Sequence, residues 1–321
     1  MKSLILILPM MIGFIIDLIL GDPYSLPHPI RFIGLLISKL EKFVRSRFNN
    51  LHKGGIFLAV TVLVISTAVP LAILVLCYKV NVVLGVAVES IMCWQLVAAR
   101  CLQKESMKVY YAIKENDVEK ARKSVSMIVG RDTDILDETG IIKAAVETVA
   151  ENTSDGVTAP IMYIALGGAA LGFFYKAANT MDSMIGYKNE KYAEIGRFAA
   201  RFDDLLNFIP SRLTALAMIF SAYIMRFDGR NSFYIWKRDR RKHASPNSAQ
   251  TESVCAGALD IRLAGDAYYF GELHKKEFIG DDIRSPENED IRRANRLMYC
   301  TSVVVLILSM TFRAFVFGGL L

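Results

Sequence analysis

The sequence predicts an all-α integral membrane protein with about four to six apolar helices and cytoplasmic helical segments. Of its 321 residues, 53% are hydrophobic and the mean hydropathy is +0.33. Soluble domains rarely reach this hydropathy, and here the apolar residues lie in separate blocks. Lysine and arginine residues flank these blocks, as expected for the borders of membrane helices.

Six apolar blocks are candidate spans, each near the ~20 residues that a bilayer requires. They are 3–20, 56–78, 82–98, 157–175, 205–225 and 299–319. No small-x-small cleavage motif follows the first block, so we expect an uncleaved helix and not a signal peptide. The third block contains Glu89, and the fourth contains Gly167-Gly168. Two adjacent glycines favour close helix packing or a broken or re-entrant segment.

Three polar helical regions, 21–55, 100–156 and 226–298, separate the blocks within one membrane-embedded domain, 1–321. Their lysines and arginines predict a multi-pass protein of the cell (cytoplasmic) membrane with these regions on the cytoplasmic side. The segment 176–204 is also rich in Lys and Arg. We therefore expect the fourth and fifth blocks to include shallow, broken or interfacial helices.

Composition also argues against several functional classes. The basic residues are mixed with acidic ones and flank apolar spans, so no nucleic-acid partner is expected. The five cysteines form no CxxC pair, and the four histidines form no HExxH motif. We expect reduced, packed thiols and no zinc site or disulfide framework.

The first polar motif follows the first span, between Asp17 and Arg31. Prolines at 23, 27 and 29 fix an extended exit that can hold His28 and Arg31 in place. Arginine suits binding of phosphate or carboxylate. The alternative is a rigid loop whose charges meet lipid headgroups.

The second motif is Glu147, Glu151 and Asp155, which lie beside Asn152, Thr153 and Ser154. Carboxylates next to hydroxyl groups suit Mg²⁺, which takes a few protein oxygens together with substrate phosphates. The alternative is a solvated helix end. Gly156 is expected to end that helix.

The third motif lies after the fourth span. Lys176, Asn179 and Asp182 precede Arg197 and Arg201. Helical spacing places several of these polar side chains on one face, which suggests a site beside the bilayer. The alternative is an interfacial amphipathic helix with internal ion pairs.

The fourth motif is His243-Ala-Ser-Pro-Asn247, followed by a run of small residues. Ser-Pro-Asn is typical of a turn, and the small residues predict a tightly packed helix that stops at Gly265. A histidine in this setting is a modest catalytic signal, and the alternative is a structural hydrogen bond.

Together these motifs resemble the CobD/CbiB family of cobalamin biosynthesis, the adenosylcobinamide-phosphate synthases. The matching stretches are DLILGDP with PHPIRFIG (17–34), ENTSDG with AP (151–160), YKAANTMDSMIGY (175–187), RFDDLLN with IPSRLT (201–214), and HASPN with AGAL (243–259). The resemblance extends from about residue 12 to the last span. One departure is Thr251, where family members tend to have proline before the glutamate.

This resemblance implies a membrane ligase driven by ATP and Mg²⁺. It would join a carboxylate of adenosylcobyric acid to the amine of aminopropanol or its O-phosphate, through an acyl phosphate. Expected partners are these two substrates, the lipid membrane and other late cobalamin-pathway enzymes.

Chemistry then assigns hypothetical roles to the matching residues. Metal-bound ATP requires carboxylates, for which Glu151, Asp155 and Asp182 are candidates, and the last two are also candidate catalytic residues. His28 or His243 would accept a proton from the attacking amine. The candidates for binding substrate or ATP are Arg31, Lys176, Asn179, Arg197, Arg201, Arg212 and Asn247.

Three rival functions stay open. A corrinoid-binding membrane transporter would use the ionisable and glycine-rich spans, although no paired repeats are evident. A scaffold would anchor soluble enzymes through 100–156. A transferase acting on diphosphates would use Asp203-Asp204, but the repeated Asp spacing of such sites is missing.

Overall fold

The computed structural model describes residues 2–23, 25–187, 189–269 and 271–318, and helices dominate this part of the chain. The helices are α1 (Lys2–Leu20), α2 (Pro29–Arg47), α3 (Leu51–Val80), α4 (Val82–Trp94), α5 (Ala99–Lys114), α6 (Val118–Ser126), α7 (Glu138–Asn152), a π-helix (Thr153–Thr158), α8 (Ala159–Ile185), α9 (Arg197–Ile224), α10 (Gly229–Asp239), α11 (Ser248–Leu259) and α12 (Glu289–Phe317). Four short strands lie between the last two helices: β1 (Leu263–Ala264), β2 (Ala267–Tyr269), β3 (Glu272–His274) and β4 (Phe278–Ile279).

Among the described residues, five helical stretches have the length and apolar composition to cross a membrane. They are Leu51–Val80, Val82–Lys114, Glu138–Ile185, Arg197–Ile224 and Glu289–Phe317, and Ile5–Leu20 is a shorter apolar helix. Each of the six predicted apolar blocks coincides with one of these helices. The prediction of an all-α integral membrane protein is therefore confirmed.

The chain forms two compact units. Unit 1 comprises the described residues of Met1–Ala98, Pro160–Asn207 and Leu306–Leu321, and unit 2 those of Ala99–Ala159 and Phe208–Val305. Unit 1 contains α1 to α4 and nearly all of α8. Unit 2 contains α5 to α7, α10, α11 and the four strands, so the polar regions 100–156 and 226–298 lie in unit 2.

Helix α8 in unit 1 is broken at Gly167-Gly168. Gly167 has φ −145° and ψ 26°, and Gly168 has φ 67° and ψ −168°, so neither is helical. The rings of Tyr163 and Tyr175 stack with centroids 4.8 Å apart. On a straight helix, residues twelve positions apart would be about 18 Å apart. The two halves of α8 therefore fold back on each other as a hairpin, which confirms the prediction of a broken segment. This is the form that a re-entrant membrane segment takes, so we call it the re-entrant hairpin.

Two charged side chains of unit 1 satisfy the backbone groups exposed by this break. Nη1 of Arg313 donates to the carbonyl oxygens of Ile164 and Ala165, both at 3.0 Å. Oε1 of Glu89 accepts a hydrogen bond from the amide of Ala169 at 3.2 Å. A cation at the end of the first half-helix and an anion at the start of the second complement both helix dipoles. Unbonded backbone groups would be costly in a membrane, so these contacts stabilise the hairpin.

The ENTSDG motif falls on the π-helix between α7 and α8. Thr153 opens this segment, and its hydroxyl donates to the carbonyl of Val149 at 2.7 Å. The expectation that Gly156 ends the helix is wrong, because Gly156 is buried within the π-helix. The chain widens its turn here instead of leaving the helix. Such π segments often occur at functional sites.

The sequence predicted that the whole region 226–298 is helical, but the segment between α11 and α12 is not. Helix α11 ends at Leu259 with Asp260 in a left-handed conformation (φ 56°, ψ 40°), so the expected stop at Gly265 is too late. The chain then forms two antiparallel two-stranded sheets, β1 with β4 and β2 with β3. Gly265 has φ +93° and belongs to the turn after β1. The glycine marks a chain reversal, since it adopts positive φ without steric cost.

Candidate active site

A polar pocket of about 180 Å³ lies in unit 2 between α7, α11 and the β hairpins. We call it the acidic pocket. Its lining residues are Ile128, Val129, Gly130, Arg131, Glu147, Thr148, Glu151, Asn152, His243, Glu252, Ala264, Gly265, Tyr269 and Lys276. Drug-sized ligands usually occupy about 300–1,000 Å³. The acidic pocket therefore has room for one end of a larger ligand and not for the whole of it.

Glu147 holds two walls of the acidic pocket together. Its Oε2 accepts a hydrogen bond from Nη2 of Arg131, with which it forms an ion pair, and its Oε1 accepts one from the amide of Ala264 at 2.7 Å. Ala264 has φ 57°, a left-handed conformation that costs an L-residue about 1–2 kcal/mol. The bond to Glu147 holds Ala264 in that conformation, so the carboxylate orders the β1 turn.

Glu151 lies one turn further along α7, on the same helix face as Glu147. Its Oε1 accepts a hydrogen bond from the hydroxyl of Ser248 at 2.7 Å. Ser248 is the first residue of α11 and directly follows the predicted motif His243–Asn247. The structure thus brings the second and fourth sequence motifs together at one pocket.

Glu252, like Glu147, is a buried acid of the pocket. It lies on α11 with 5% of its surface exposed, and its Oε2 has no hydrogen-bond partner among the described residues. Burial, together with the negative charges of Glu151 and Glu147, raises the pKa of Glu252 well above its usual range. A buried carboxyl group with a free oxygen and a raised pKa is suited to accepting a proton.

His243 is held in one orientation by the turn that follows it. Its Nδ1 accepts a hydrogen bond from the amide of Ser245 at 3.0 Å. Burial lowers the pKa of His243, although the charge of Glu151 opposes this, and so favours the neutral ring. With Nδ1 occupied as an acceptor, the neutral ring carries its proton on Nε2. This favours a role as hydrogen-bond donor over the predicted role as base.

Two cations complete the pocket. Arg131 is bound to Glu147, and although burial opposes it, this contact raises the pKa of Arg131. Nζ of Lys276 donates to the hydroxyl of Tyr269 at 2.6 Å and lies 4.6 Å from the centre of that ring. Cations beside His243 give the pocket positive groups for an anionic oxygen.

Arg212 and Asn247, both predicted to bind substrate or ATP, are in contact. Nη1 of Arg212 donates to Oδ1 of Asn247 at 3.1 Å, and the hydroxyl of Ser211 donates to the same oxygen at 3.2 Å. Asn247 precedes Ser248, the hydrogen-bond partner of Glu151. These residues therefore position the start of α11 at the edge of the acidic pocket.

The other predicted binding residues lie in unit 1, as does His28, the other predicted base. His28 caps helix α2, since its Nδ1 accepts from the amide of Ile30 at 3.3 Å, and its Nε2 lies 3.4 Å from Oδ1 of Asp22. Arg31 is exposed on the first turn of α2. As with His243, the occupied Nδ1 of His28 leaves the proton of the neutral ring on Nε2.

A second polar cluster in unit 1 includes part of the third motif. Asn179 donates to Oδ1 of Asp203 at 3.5 Å, Asn207 donates to Oδ2 of Asp203 at 3.0 Å, and Tyr175 donates to Asn207 at 2.8 Å. Lys176 on the same helix is buried. By contrast, Asp182 is half-buried, and Arg197 and Arg201 are exposed. The roles assigned to these residues stay predictions.

The described part of the chain contains no group of three or more His, Cys, Asp or Glu side chains placed to hold a metal ion. Of the predicted ligands, Glu151 and Asp155 belong to unit 2 and Asp182 to unit 1. Only Glu151 lines the acidic pocket. The metal assignment stays a prediction.

Sequence reasoning did not assign Arg131, Glu252 or Lys276 to the site. Glu252 could have been identified, because it lies one helical turn after Ser248, on the face that Ser248 shares. Arg131 and Lys276 lie in loops far from the recognised motifs in sequence. No local pattern places either residue next to Glu151.

Comparison with known proteins identifies close relatives. The model of the CobD/Cbib protein family matches residues 10–298. A relative from Clostridium perfringens, named cobalamin biosynthesis protein CobD, is 46% identical over 303 residues, covering 94% of this chain and 96% of the relative. Relatives of the same name from Listeria monocytogenes and Citrobacter koseri are 45% and 42% identical, covering 92% and 96% of this chain and 95% and 98% of their own lengths. No solved structure matches the chain.

Proposed function

The chain belongs to the CobD/Cbib protein family and acts in cobalamin biosynthesis, and from this premise we propose that it is an ATP-dependent amide ligase. It joins a carboxylate of adenosylcobyric acid to the amine of aminopropanol or of its O-phosphate. The product is adenosylcobinamide or its phosphate. We further propose that the reaction takes place at the acidic pocket, on the cytoplasmic side of the cell membrane.

Amide formation makes two demands on the protein. The amine must lose a proton before or during its attack on the activated carboxyl carbon, which requires a general base. The carbonyl oxygen gains negative charge in the transition state, which requires hydrogen-bond donors or cations aimed at it. A pocket that meets both demands needs a proton acceptor close to a set of donors.

The observation that carries the proposal is the buried, unbonded Oε2 of Glu252 in a pocket that also contains Arg131, Lys276 and His243. Glu252 supplies the proton acceptor, since its raised pKa matches it to an amine better than an exposed carboxylate. His243 supplies a donor from Nε2. The two cations balance the negative charge that forms on oxygen.

The remaining pocket residues position these groups. Glu147 fixes Arg131 and the β1 turn, and Glu151 fixes Ser248 at the start of α11. Glu252 lies one turn after Ser248, so the bond to Glu151 sets the position of the proposed base. The large corrin binds outside the 180 Å³ pocket, and only its reacting carboxylate enters.

ATP would supply the free energy for the otherwise unfavourable amide bond by activating the carboxylate. The donor set fits phosphate, since Arg131, Lys276 and His243 are the kinds of group that bind its oxygens. Since no group of three or more His, Cys, Asp or Glu side chains among the described residues is placed to hold a metal ion, magnesium would be held largely by phosphate oxygens. Glu151 is the predicted protein ligand that lines the pocket.

The direct test incubates the purified protein in detergent with adenosylcobyric acid, Mg-ATP and either aminopropanol or its O-phosphate. Mass spectrometry should detect the amide, with formation dependent on both ATP and amine. The faster amine identifies the physiological substrate. An amide that forms equally without ATP, or no amide with either amine, would contradict the ligase.

Substitution of the proposed base tests the location of the reaction. Glu252→Gln preserves shape but removes the proton acceptor, so turnover should fall about 10²–10⁴-fold with little change in folding. Glu272→Gln is the matched control, since Glu272 is exposed on β3 in the same unit. Amide formation by Glu252→Gln at the wild-type rate would show that the reaction does not take place at the acidic pocket. It would not contradict the proposal that the protein is a ligase.

A corrinoid transporter is the second candidate, and one observation favours it. Re-entrant hairpins with ionisable residues at their tips, such as that of α8 with Glu89 and Arg313, resemble the broken helices of transporters. Counterflow of labelled corrinoid into vesicles without ATP or amine would support transport. Amide formation without counterflow would exclude it as the main activity.

A further inference from the structure

A second cavity lies entirely within unit 1, at the tip of the re-entrant hairpin. Its volume is about 460 Å³, and Gly167 and Gly168 form one wall. The end of α3 forms another, with apolar Leu71 and Val75 and polar Tyr78 and Lys79. The ligase proposal does not use this cavity.

The cavity opens onto the apolar surface of α3. Leu71 and Val75 lie one helical turn apart, and 49% and 45% of their surfaces are exposed. Exposed aliphatic side chains on a helix that can span the membrane contact lipid. One rim of the cavity is therefore the lipid-facing surface of the protein.

The length of α3 and the position of Lys79 predict that the mouth of the cavity lies at the level of lipid headgroups. Helix α3 has 30 residues and is about 45 Å long, longer than the roughly 30 Å hydrocarbon core. Lys79 is its penultimate residue and is exposed. A lysine at this position reaches the interface between hydrocarbon and water, where phosphate groups lie.

Positive charge exceeds negative charge in this cavity. Lys79 and Arg313 are its two cations, and Glu89 is its carboxylate. Both oxygens of Glu89 are bonded within the protein, to the amide of Ala169 and to the hydroxyl of Tyr78 at 2.6 Å. No carboxylate of a described residue forms an ion pair with Lys79 or Arg313.

Arg313 has a nitrogen left for a ligand. Its Nε and Nη1 donate to carbonyl oxygens of Leu6, Ile164 and Ala165. Its Nη2 makes no hydrogen bond to a described residue and lies next to Gly168 at the cavity wall. A guanidinium group in a membrane is costly unless an anion or another acceptor meets it.

From these features we propose that the cavity binds the headgroup of an anionic phospholipid. The lipid phosphate lies between Lys79 and Nη2 of Arg313, and an acyl chain lies along Leu71 and Val75. The bound lipid supplies the negative charge that the cavity lacks. By covering Gly167-Gly168, it also shields the tip of the hairpin from the hydrocarbon.

Native mass spectrometry of the detergent-purified protein tests this proposal. Phosphatidylglycerol and phosphatidylcholine with the same acyl chains are added separately. We expect retention of phosphatidylglycerol to be stronger, and to weaken about fivefold in Lys79→Gln, since one lysine contributes about 1 kcal/mol to binding an anionic lipid surface. The matched control is Lys53→Gln at the opposite end of α3.

A second variant tests the apolar wall. Val75→Trp replaces a lipid-exposed side chain with a larger one and should reduce lipid retention by filling the cavity while the protein still folds. Equal retention of both lipids, or equal loss in Lys79→Gln and Lys53→Gln, would overturn the proposal. If inorganic phosphate raises the midpoint of thermal unfolding as much as phosphatidylglycerol does, the occupant of the cavity is free phosphate and not a lipid.

Discussion

Gly168 occupies a backbone conformation that only glycine tolerates. Its φ of 67° with ψ of −168° lies in a region from which a Cβ excludes other residues. An added Cβ would also lie 2.6 Å from Oε1 of Glu89. The residue is therefore constrained twice, by its own backbone and by the carboxylate that bonds to Ala169.

We predict that Gly168→Ala destabilises unit 1 strongly. The substitution adds backbone strain of about 1–3 kcal/mol and displaces Glu89 from the amide of Ala169. The midpoint of thermal unfolding in detergent and the yield of monodisperse protein should both fall.

A matched variant, Gly271→Ala, separates the effect of backbone strain from the effect of contact with Glu89. Gly271 has φ +80°, but an added Cβ meets no atom within 4 Å. It should therefore lose only the stability due to backbone strain, about 1–2 kcal/mol. Equal losses in both variants would show that contact with Glu89 does not constrain Gly168.

At the scale of elements, a single carboxylate joins α10 to the β4 turn in unit 2. Asp239, the last residue of α10, accepts hydrogen bonds from Arg238 at 2.8 Å and from the amide of Gly280 at 2.8 Å, and it forms an ion pair with Lys242 at 2.8 Å. Burial alone would raise the pKa of Asp239, but these partners outweigh burial and lower it to about 2. Strand β4 pairs with β1, whose Ala264 lines the acidic pocket, so this connection links α10 to one wall of the pocket.

The stability supplied by Asp239 has a defined pH window. An aspartate in the unfolded chain has a pKa of about 3.9, whereas Asp239 in the folded protein has a pKa of about 2. The ionised form therefore stabilises the fold at every pH above about 4. This contribution is fully present above pH ~4 and is lost as the pH falls through about 2. Asp239→Asn should remove this part of the acid dependence.

We expect Asp239→Asn to lower the thermal midpoint at pH 7 by about 3–6 °C, as for a loss of about 1–2 kcal/mol. Asp281→Asn is the control, because Asp281 also bonds Arg238 but is exposed. Exposed ion pairs contribute about 0–1 kcal/mol, so its midpoint should move little. If both variants unfold at the same temperature, Asp239 does not join these elements.

Some elements could be predicted from sequence because their signals are local. The apolar blocks gave the membrane helices, and Gly167-Gly168 indicated the break in α8. The strands between α11 and α12 could not be predicted, since each has only two or three residues and forms by pairing distant segments. Gly156 was misinterpreted because glycine often follows the end of a helix. Here the chain continues from α7 into a π-helix that contains Gly156.

The candidate site was predictable only where its residues belong to motifs. Glu151 and His243, which were both assigned roles because they belong to motifs, line one pocket. Arg131 and Lys276 reach it through the 128–131 loop and the β hairpins, whose position depends on contacts such as that of Glu147 with Ala264. Tertiary contacts of this kind leave no periodic pattern in a single sequence.

At the scale of the whole molecule, the re-entrant hairpin determines how the chain is threaded through the membrane. A full crossing by 157–175 would place the segment after α8 on the opposite side from the segment before it. A hairpin returns the chain to the side from which it entered. The segment 176–204 then lies on the same side as 100–156. The basic region 226–298 shares that side only if α9 does not cross the membrane either, as the positive-inside rule predicts.

Contacts within unit 1 support this threading. Nη2 of Arg45, at the end of α2, donates to the carbonyl of Lys191 at 2.7 Å. The segment after α8 therefore lies at the same end of unit 1 as the junction between α2 and α3. The turn between α3 and α4 lies about 45 Å away along α3, at the other end.

We predict that single cysteines will report this arrangement in membrane vesicles. In a variant without the five native cysteines, Ser46→Cys and Glu190→Cys should react with an impermeant maleimide from one side only, and Val83→Cys from the other. All three positions are exposed in unit 1, so accessibility alone does not separate them. The positive charges near Ser46 predict that its side is cytoplasmic. Labelling of Glu190→Cys from the same side as Val83→Cys would mean that α8 crosses the membrane, and the re-entrant hairpin would then be wrong.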